Sequence, residues 1–268
     1  MKRIEVEGTR IAFHDHGAGP PVLLLHGFPL TSESFRPQLG ALAGKLRLIV
    51  PDHRGFGESG PAGAEATEMS RIARDALAVL DALGIRRAVV GGVSMGGYAA
   101  MAMLREDAGR VAGLILIDTQ AAADDEAGKA RRADTAKAVE ARGTQALVDA
   151  MLGKLVSDRC PPAARDAVER MIRAQSPEGC AAAVRGMALR PAGHDVLSRF
   201  AGPSLVVVGE QDVITPPAKA QELAKLLQGS RLVEIPGAGH LANLEAPGPV
   251  NEAMAEFARS LPAALFNG

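Results

Sequence analysis

A single serine framed by glycines, Gly92-Val93-Ser94-Met95-Gly96, restricts this chain more than any other stretch. Ahead of it Ala88-Val89-Val90-Gly91 reads as a buried strand, and behind it Ala99-Ala100-Met101-Ala102-Met103-Leu104 reads as a helix. The two runs lie so close that the backbone must pass from strand to helix in one sharp turn. That turn lifts the serine hydroxyl to the top of a sheet. Gly92 and Gly96 suit it, because they can take backbone angles and close approaches that a Cβ would obstruct. The same turn aims backbone N–H groups at the start of a helix, where an anion is stabilised.

Apolar β-type runs recur at Ile4–Val6, Arg10–His14, Val22–Leu25, Leu46–Val50, Ala88–Gly91, Leu114–Ile117, Ser204–Val208 and Arg231–Ile235. Helical patterns separate several of them, the clearest being Met69, Ile72, Ala73, Ala76, Leu77, Leu80 and Leu83, with Thr67 as expected N-cap and Gly84 as stop. Such alternation predicts βαβ units and a mostly parallel sheet. Only Glu7-Gly8-Thr9 separates the first two runs, which predicts an antiparallel hairpin. From about 120 to 200 strand signals vanish and helical spacing takes over, as in Leu147, Met151, Leu152, Leu155 and Val156, with breaks at Pro161-Pro162 and Pro191. The expected fold class is therefore α/β, with residues 1–120 and 201–268 as the core and 121–200 as a helical cap insertion. A last helix is expected over about Pro249–Ser260.

Serine becomes a nucleophile when a base takes its proton, an acid orients that base, and donors meet the developing oxyanion. His240 is the candidate base, in Pro236-Gly237-Ala238-Gly239-His240 after the last strand. Asp212, in Gly209-Glu210-Gln211-Asp212 beyond Ser204–Val208, is the favoured acid because its strand lies nearer His240. Asp118 competes, since it too ends a strand (Leu116-Ile117-Asp118), and Glu210 is a weaker third candidate.

Composition removes other chemistries. A net charge of -1 gives no electrostatic argument for nucleic acid or an anionic membrane as partner. The six histidines show no H-x-x-x-H or H-E-x-x-H spacing, so no metal or other cofactor is expected. Gly91–Gly97 lacks the Gly-Lys-Ser/Thr ending of a phosphate loop. The two cysteines, Cys160 and Cys180, read as small buried hydrophobes in a reducing compartment. Met1–Glu7 lacks a signal-peptide core and no apolar run could span a bilayer, so a soluble cytoplasmic protein is expected. His14 and His16 are expected in a turn before Gly17 and Gly19. Oligomeric state is not encoded in any of these features.

The order Ser94, Asp212, His240, with His26-Gly27-Phe28-Pro29 after the third strand and Asp52-His53-Arg54-Gly55-Phe56-Gly57-Glu58-Ser59 after the fourth, resembles the α/β-hydrolase superfamily. The likeness runs along essentially the whole chain and implies an eight-stranded, mostly parallel sheet flanked by helices. It implies a Ser94–Asp212–His240 triad, an oxyanion hole from the backbone N–H groups of Phe28 and Met95, and Phe28, Met95 and Leu241 against the substrate. His26 resembles the family's loop-bracing histidine, and Asp52–Ser59 a structural turn.

Epoxide hydrolases and haloalkane dehalogenases share this fold, but those families use an aspartate nucleophile where this chain has Ser94. They draw on cap tyrosines or a halide-binding tryptophan, whereas this chain has a single tyrosine, Tyr98, outside the insertion, and no tryptophan. The sequence is similar instead to small bacterial carboxylesterases, enol-lactonases and the cofactor-free haloperoxidase/perhydrolase group. That similarity implies a small to medium ester or lactone as substrate and peracid formation as a side activity. Carbon–carbon bond hydrolases rank lower, because Val93 stands where they usually carry asparagine. A hydrolase-like receptor that binds without turning over is the alternative from another class. A histidine base works only when neutral, so activity is expected to rise from acid to neutral pH.

Overall fold

A computed structural model describes residues 1–266. Eight strands form one sheet: β1 (Lys2–Val6), β2 (Thr9–His16), β3 (Pro21–Leu25), β4 (Arg47–Pro51), β5 (Ala88–Val93), β6 (Val111–Ile117), β7 (Ser204–Gly209) and β8 (Arg231–Ile235). Their spatial order is β1-β2-β4-β3-β5-β6-β7-β8. β1 and β2 form the antiparallel hairpin, β2 runs antiparallel to β4, and every other pairing is parallel. Parallel strands covered on both faces should be apolar throughout. β5, β6 and β7 are indeed buried at every residue.

The helices are α1 (Arg36–Leu42), α2 (Met69–Ala82), α3 (Met95–Asp107), α4 (Glu126–Arg142), α5 (Gln145–Leu155), α6 (Pro162–Arg173), α7 (Pro177–Ala188), α8 (His194–Arg199), α9 (Pro217–Leu226), α10 (Ala242–Glu245) and α11 (Pro247–Ser260). α3 packs on α2, α8 and the central strands, while α1 packs on α11. Five helices, α4 to α8, lie between β6 and β7. Pro162 opens α6 at a position where a missing N–H costs nothing. A buried bidentate pair, Arg54 Nε and Nη2 to Asp75 at 2.6 and 2.7 Å, fastens the loop after β4 to α2. No helix among the described residues is long and apolar enough to cross a membrane.

Two local expectations are corrected. Thr67 is not the N-cap of α2: that place falls to Glu68, which makes no side-chain cap bond. Thr67 is instead drawn inward, its N–H donating to Ala182 O at 2.9 Å. His14 and His16 lie on β2, paired with Val50 and Leu48 of β4, rather than in a turn. Their strand runs on because a second antiparallel partner takes over: β1 pairs with Thr9–Phe13 and β4 with Phe13–His16.

Candidate active site

Every strand from β3 to β8 is parallel, so the loops leaving their C-terminal ends gather along one edge of the sheet. Ser94 follows β5, Asp118 β6, Asp212 β7 and His240 β8, while Phe28 follows β3. Chain direction alone brings residues 212 positions apart in sequence to one edge.

The turn at Ser94 is tight. A Cβ on Gly92 would sit 2.2 Å from the Gly96 carbonyl carbon, and one on Gly96 would sit 1.9 Å from Leu25 O. Close approach, not left-handed backbone, is what demands glycine at both places. The left-handed residue is Ser94 itself, with φ 53° and ψ −114°, a conformation costing about 1–3 kcal/mol. Its neighbours hold it there: Ser94 N–H donates to Ile117 O at 3.0 Å, and Thr119 Oγ1 donates to Ser94 O at 2.9 Å. Ser94 is half-buried, with Met95 behind it as the first residue of α3.

His240 is 1% exposed and bridges two partners. Its Nδ1 lies 2.8 Å from Asp212 Oδ2 and its Nε2 2.8 Å from Ser94 Oγ. A carboxylate can only accept, so Nδ1 carries the proton and Nε2 is left with a lone pair facing the serine hydroxyl. Asp212 is saturated with donors: Ile214 N–H at 2.8 Å and Thr215 N–H at 2.9 Å on Oδ1, and Thr215 Oγ1–H at 2.7 Å on Oδ2. Burial pushes its carboxyl up, but His240 and Thr215 together bring it below the ordinary range, so it stays ionised. Thr215 was missed by sequence reasoning. Its signal was present, a threonine three residues after an aspartate in a turn.

Asp118 does not reach His240. Its oxygens accept Gly209 N–H at 2.8 Å and Ala242 N–H at 3.0 Å, tying the end of β7 to the loop that carries the histidine. Burial, then the charge of Asp212, pushes its carboxyl well above the usual range. Glu210 turns away, accepting Gly237 N–H at 2.7 Å.

The His26-Gly27-Phe28 backbone lies against the serine turn, since a Cβ on Gly27 would sit 3.4 Å from Ser94 Cβ. Met95 N–H, at the first position of α3, has no partner within its own helix. His26 braces this loop: its Nδ1–H donates to Gly27 O at 3.0 Å, and its Nε2 accepts His53 N–H at 3.0 Å. The two imidazoles stack with centroids 3.8 Å apart. Burial holds both neutral, bringing His26 down to about 4 and His53 well below its ordinary value. Phe28, Met95 and Leu241 are all buried in the main apolar cluster. A cavity of about 220 Å³ opens one helical turn beyond Ser94, beside Tyr98, Met101, Gln120 and Arg190, but Ser94, Asp212 and His240 do not line it. Among the described residues, no group of three or more His, Cys, Asp or Glu is placed to hold a metal ion.

The sequence model of the family described as alpha/beta hydrolase fold matches residues 20–247. An esterase from Thermogutta terrifontis superposes with a TM-score of 0.94, at 38% identity over 97% of this chain and 99% of that one. An enol-lactonase from Burkholderia xenovorans LB400 superposes with a TM-score of 0.88, at 25% identity over 97% of this chain and 100% of that one. Haloalkane dehalogenase 2 of Mycobacterium tuberculosis is 31% identical over 267 residues, covering 92% of this chain and 91% of its own.

Proposed function

The chain belongs to the α/β-hydrolase fold family, and on that premise we propose that it hydrolyses small to medium carboxylic esters or lactones through an acyl-enzyme at Ser94. The observation that carries this is the unbroken relay from Ser94 Oγ through His240 to Asp212, at 2.8 Å on each side. Ser94 Oγ attacks the carbonyl carbon while His240 Nε2 takes its proton, and the ionised Asp212 stabilises the imidazolium. The oxyanion meets the N–H groups of Phe28 and Met95, where loss of one donor costs about 3–4 kcal/mol. Collapse expels the alcohol, or opens a lactone ring, with the proton returned by His240. Water then gives a proton to His240 and attacks the acyl carbonyl, releasing the acid and Ser94. Hydrogen peroxide in place of water would give a peracid by the same route. In this reading the helices between β6 and β7 form the cap that limits substrate size.

Haloalkane dehalogenation does not fit a serine at this turn. Displacement of a halide by Ser94 Oγ would leave an alkyl ether, which offers water no carbonyl and ends the cycle. The test is turnover of p-nitrophenyl acetate, butyrate and octanoate beside Ser94→Ala. The substitution is expected to lower kcat by up to about 10⁶-fold, as loss of a triad serine can. Equal activity in the two proteins overturns the reading, and so does a single stalled acyl adduct, which is the behaviour of a binding protein.

A further inference from the structure

We infer that Glu245 is a positioning residue for the base: it fastens the loop carrying His240 to the helical segment inserted between β6 and β7. The inference rests on the roles given above to Ser94, His240 and Asp212. Glu245 closes α10 and is 8% exposed. Its Oε1 accepts the N–H of Gly239, the residue before the base, at 2.9 Å. Its Oε2 accepts both the N–H and the Oγ–H of Ser157, at 2.9 and 2.6 Å. Ser157 lies just beyond α5, so one carboxylate grips the base loop with one oxygen and the insertion with the other.

The two backbones touch at this point. A Cβ on Gly239 would sit 2.6 Å from Ser157 N, 2.9 Å from Glu245 Oε1 and 3.0 Å from the Val156 carbonyl carbon. On the far side of His240, Ala242 N–H is held by Asp118. The histidine therefore sits between two anchors, and one of them is shared with the insertion. An ionised carboxylate brings two acceptor oxygens and no donor, which suits three converging donors. An amide there has one acceptor, and its NH₂ would face either Gly239 N–H or Ser157. Glu245→Gln thus frees one end of the link, and the shift reaches His240 Nε2, whose 2.8 Å approach to Ser94 Oγ the proton transfer needs. Ser157 makes no hydrogen bond to Ser94, Asp212 or His240, yet its loss is expected to be felt in kcat.

The experiment compares wild type, Glu245→Gln and Ser157→Ala in three readouts: kcat and KM for p-nitrophenyl butyrate, the rate of Ser94 labelling by a fluorophosphonate, and melting temperature. A misplacement of about 1 Å can cost about 10²-fold, so Glu245→Gln is expected to lose roughly 10- to 100-fold in kcat with KM within about threefold. Ser157→Ala keeps the backbone N–H and is expected to lose roughly three- to tenfold in the same parameter. Labelling rates should fall in parallel. If Glu245→Gln fails to fold, Ser157→Ala still decides. Lower melting temperatures with unchanged kcat and labelling would show a purely structural contact and overturn the inference alone. A wild-type protein that neither turns over nor is labelled would overturn the proposed function, and this inference with it.

Discussion

Replacing His26 with glutamine should remove most of one titration from the stability curve of this protein. His26 is buried and neutral, its value brought down to about 4 from an ordinary 6.5 by loss of solvent. Above pH 6.5 neither the folded nor the unfolded chain protonates it, so it contributes no pH dependence. Between 6.5 and 4 the unfolded chain binds this proton and the folded chain does not, so stability falls as pH falls. Each pH unit in that window costs about 1.4 kcal/mol, or about 3 kcal/mol for the whole of it. Below 4 both states carry the proton and the loss levels off. Glutamine offers an N–H for Gly27 O and an oxygen for His53 N–H without titrating. His26→Gln should be less stable than wild type at pH 7.5, by about 1–2 kcal/mol for imperfect bonds. By pH 4.5 the difference should have moved about 2–3 kcal/mol in the variant's favour, as far as parity or beyond. Urea unfolding followed by circular dichroism at both pH values reads this directly; the chain has no tryptophan to report by fluorescence. A difference between the two proteins that stays constant from pH 7.5 to 4.5 refutes the claim that His26 is held neutral by burial.

Thr215→Val removes the hydroxyl that Asp212 Oδ2 accepts at 2.7 Å. A buried bond to a charged group contributes about 1.5–3 kcal/mol to stability, so the melting temperature should fall, and kcat/KM should fall about tenfold as Asp212 loses its hold beside His240; an unchanged kcat/KM would remove Thr215 from the site. Gly97→Ala would push a Cβ to 2.5 Å from Thr119 Oγ1, costing about 1–3 kcal/mol. In the Gly97→Ala/Thr119→Gly double variant, which also removes the Thr119 Cβ that would lie at 2.7 Å, the loss should be less than the sum of the singles, and strict additivity would show that the two side chains do not collide. Asp75→Asn strips the buried Arg54 of its bidentate partner and should cost about 3–5 kcal/mol in chemical denaturation; a cost below about 1 kcal/mol would mean that Arg54 finds solvent.

The sheet was legible because buried parallel strands are continuous apolar runs, which is how Ala88–Gly91 and Ser204–Val208 revealed themselves. Where a strand carries a glycine the signal breaks: β6 begins at Val111, three residues ahead of the apolar run, because Gly113 interrupts it. There a Cβ would lie 3.1 Å from Pro203 O, so the residue that hides the strand is one its packing favours. The start of α2 misled for another reason. Thr67 has the chemistry of a cap, but tertiary contact with Ala182 claimed its backbone instead. Ser94, Asp212 and His240 could be singled out because each follows a strand in a glycine-bearing or turn-forming segment. Strand order favoured Asp212 over Asp118, and the two carboxylates prove to face different partners, an imidazole for one and two amides for the other. The link from Glu245 to Ser157 joins positions 88 apart in sequence, and no local pattern announces such a pairing.

The acyl-enzyme at Ser94 is tested by a rapid-quench mass measurement during hydrolysis of p-nitrophenyl butyrate, with the modified peptide mapped by fragmentation. A transient butyryl group is expected on Ser94, building up within the first turnover and absent from Ser94→Ala. It should persist when His240 is replaced by glutamine and the enzyme is charged slowly, because deacylation needs the same base. A butyryl group on any other residue, or steady hydrolysis by Ser94→Ala at the wild-type rate, would contradict the acyl-enzyme at Ser94.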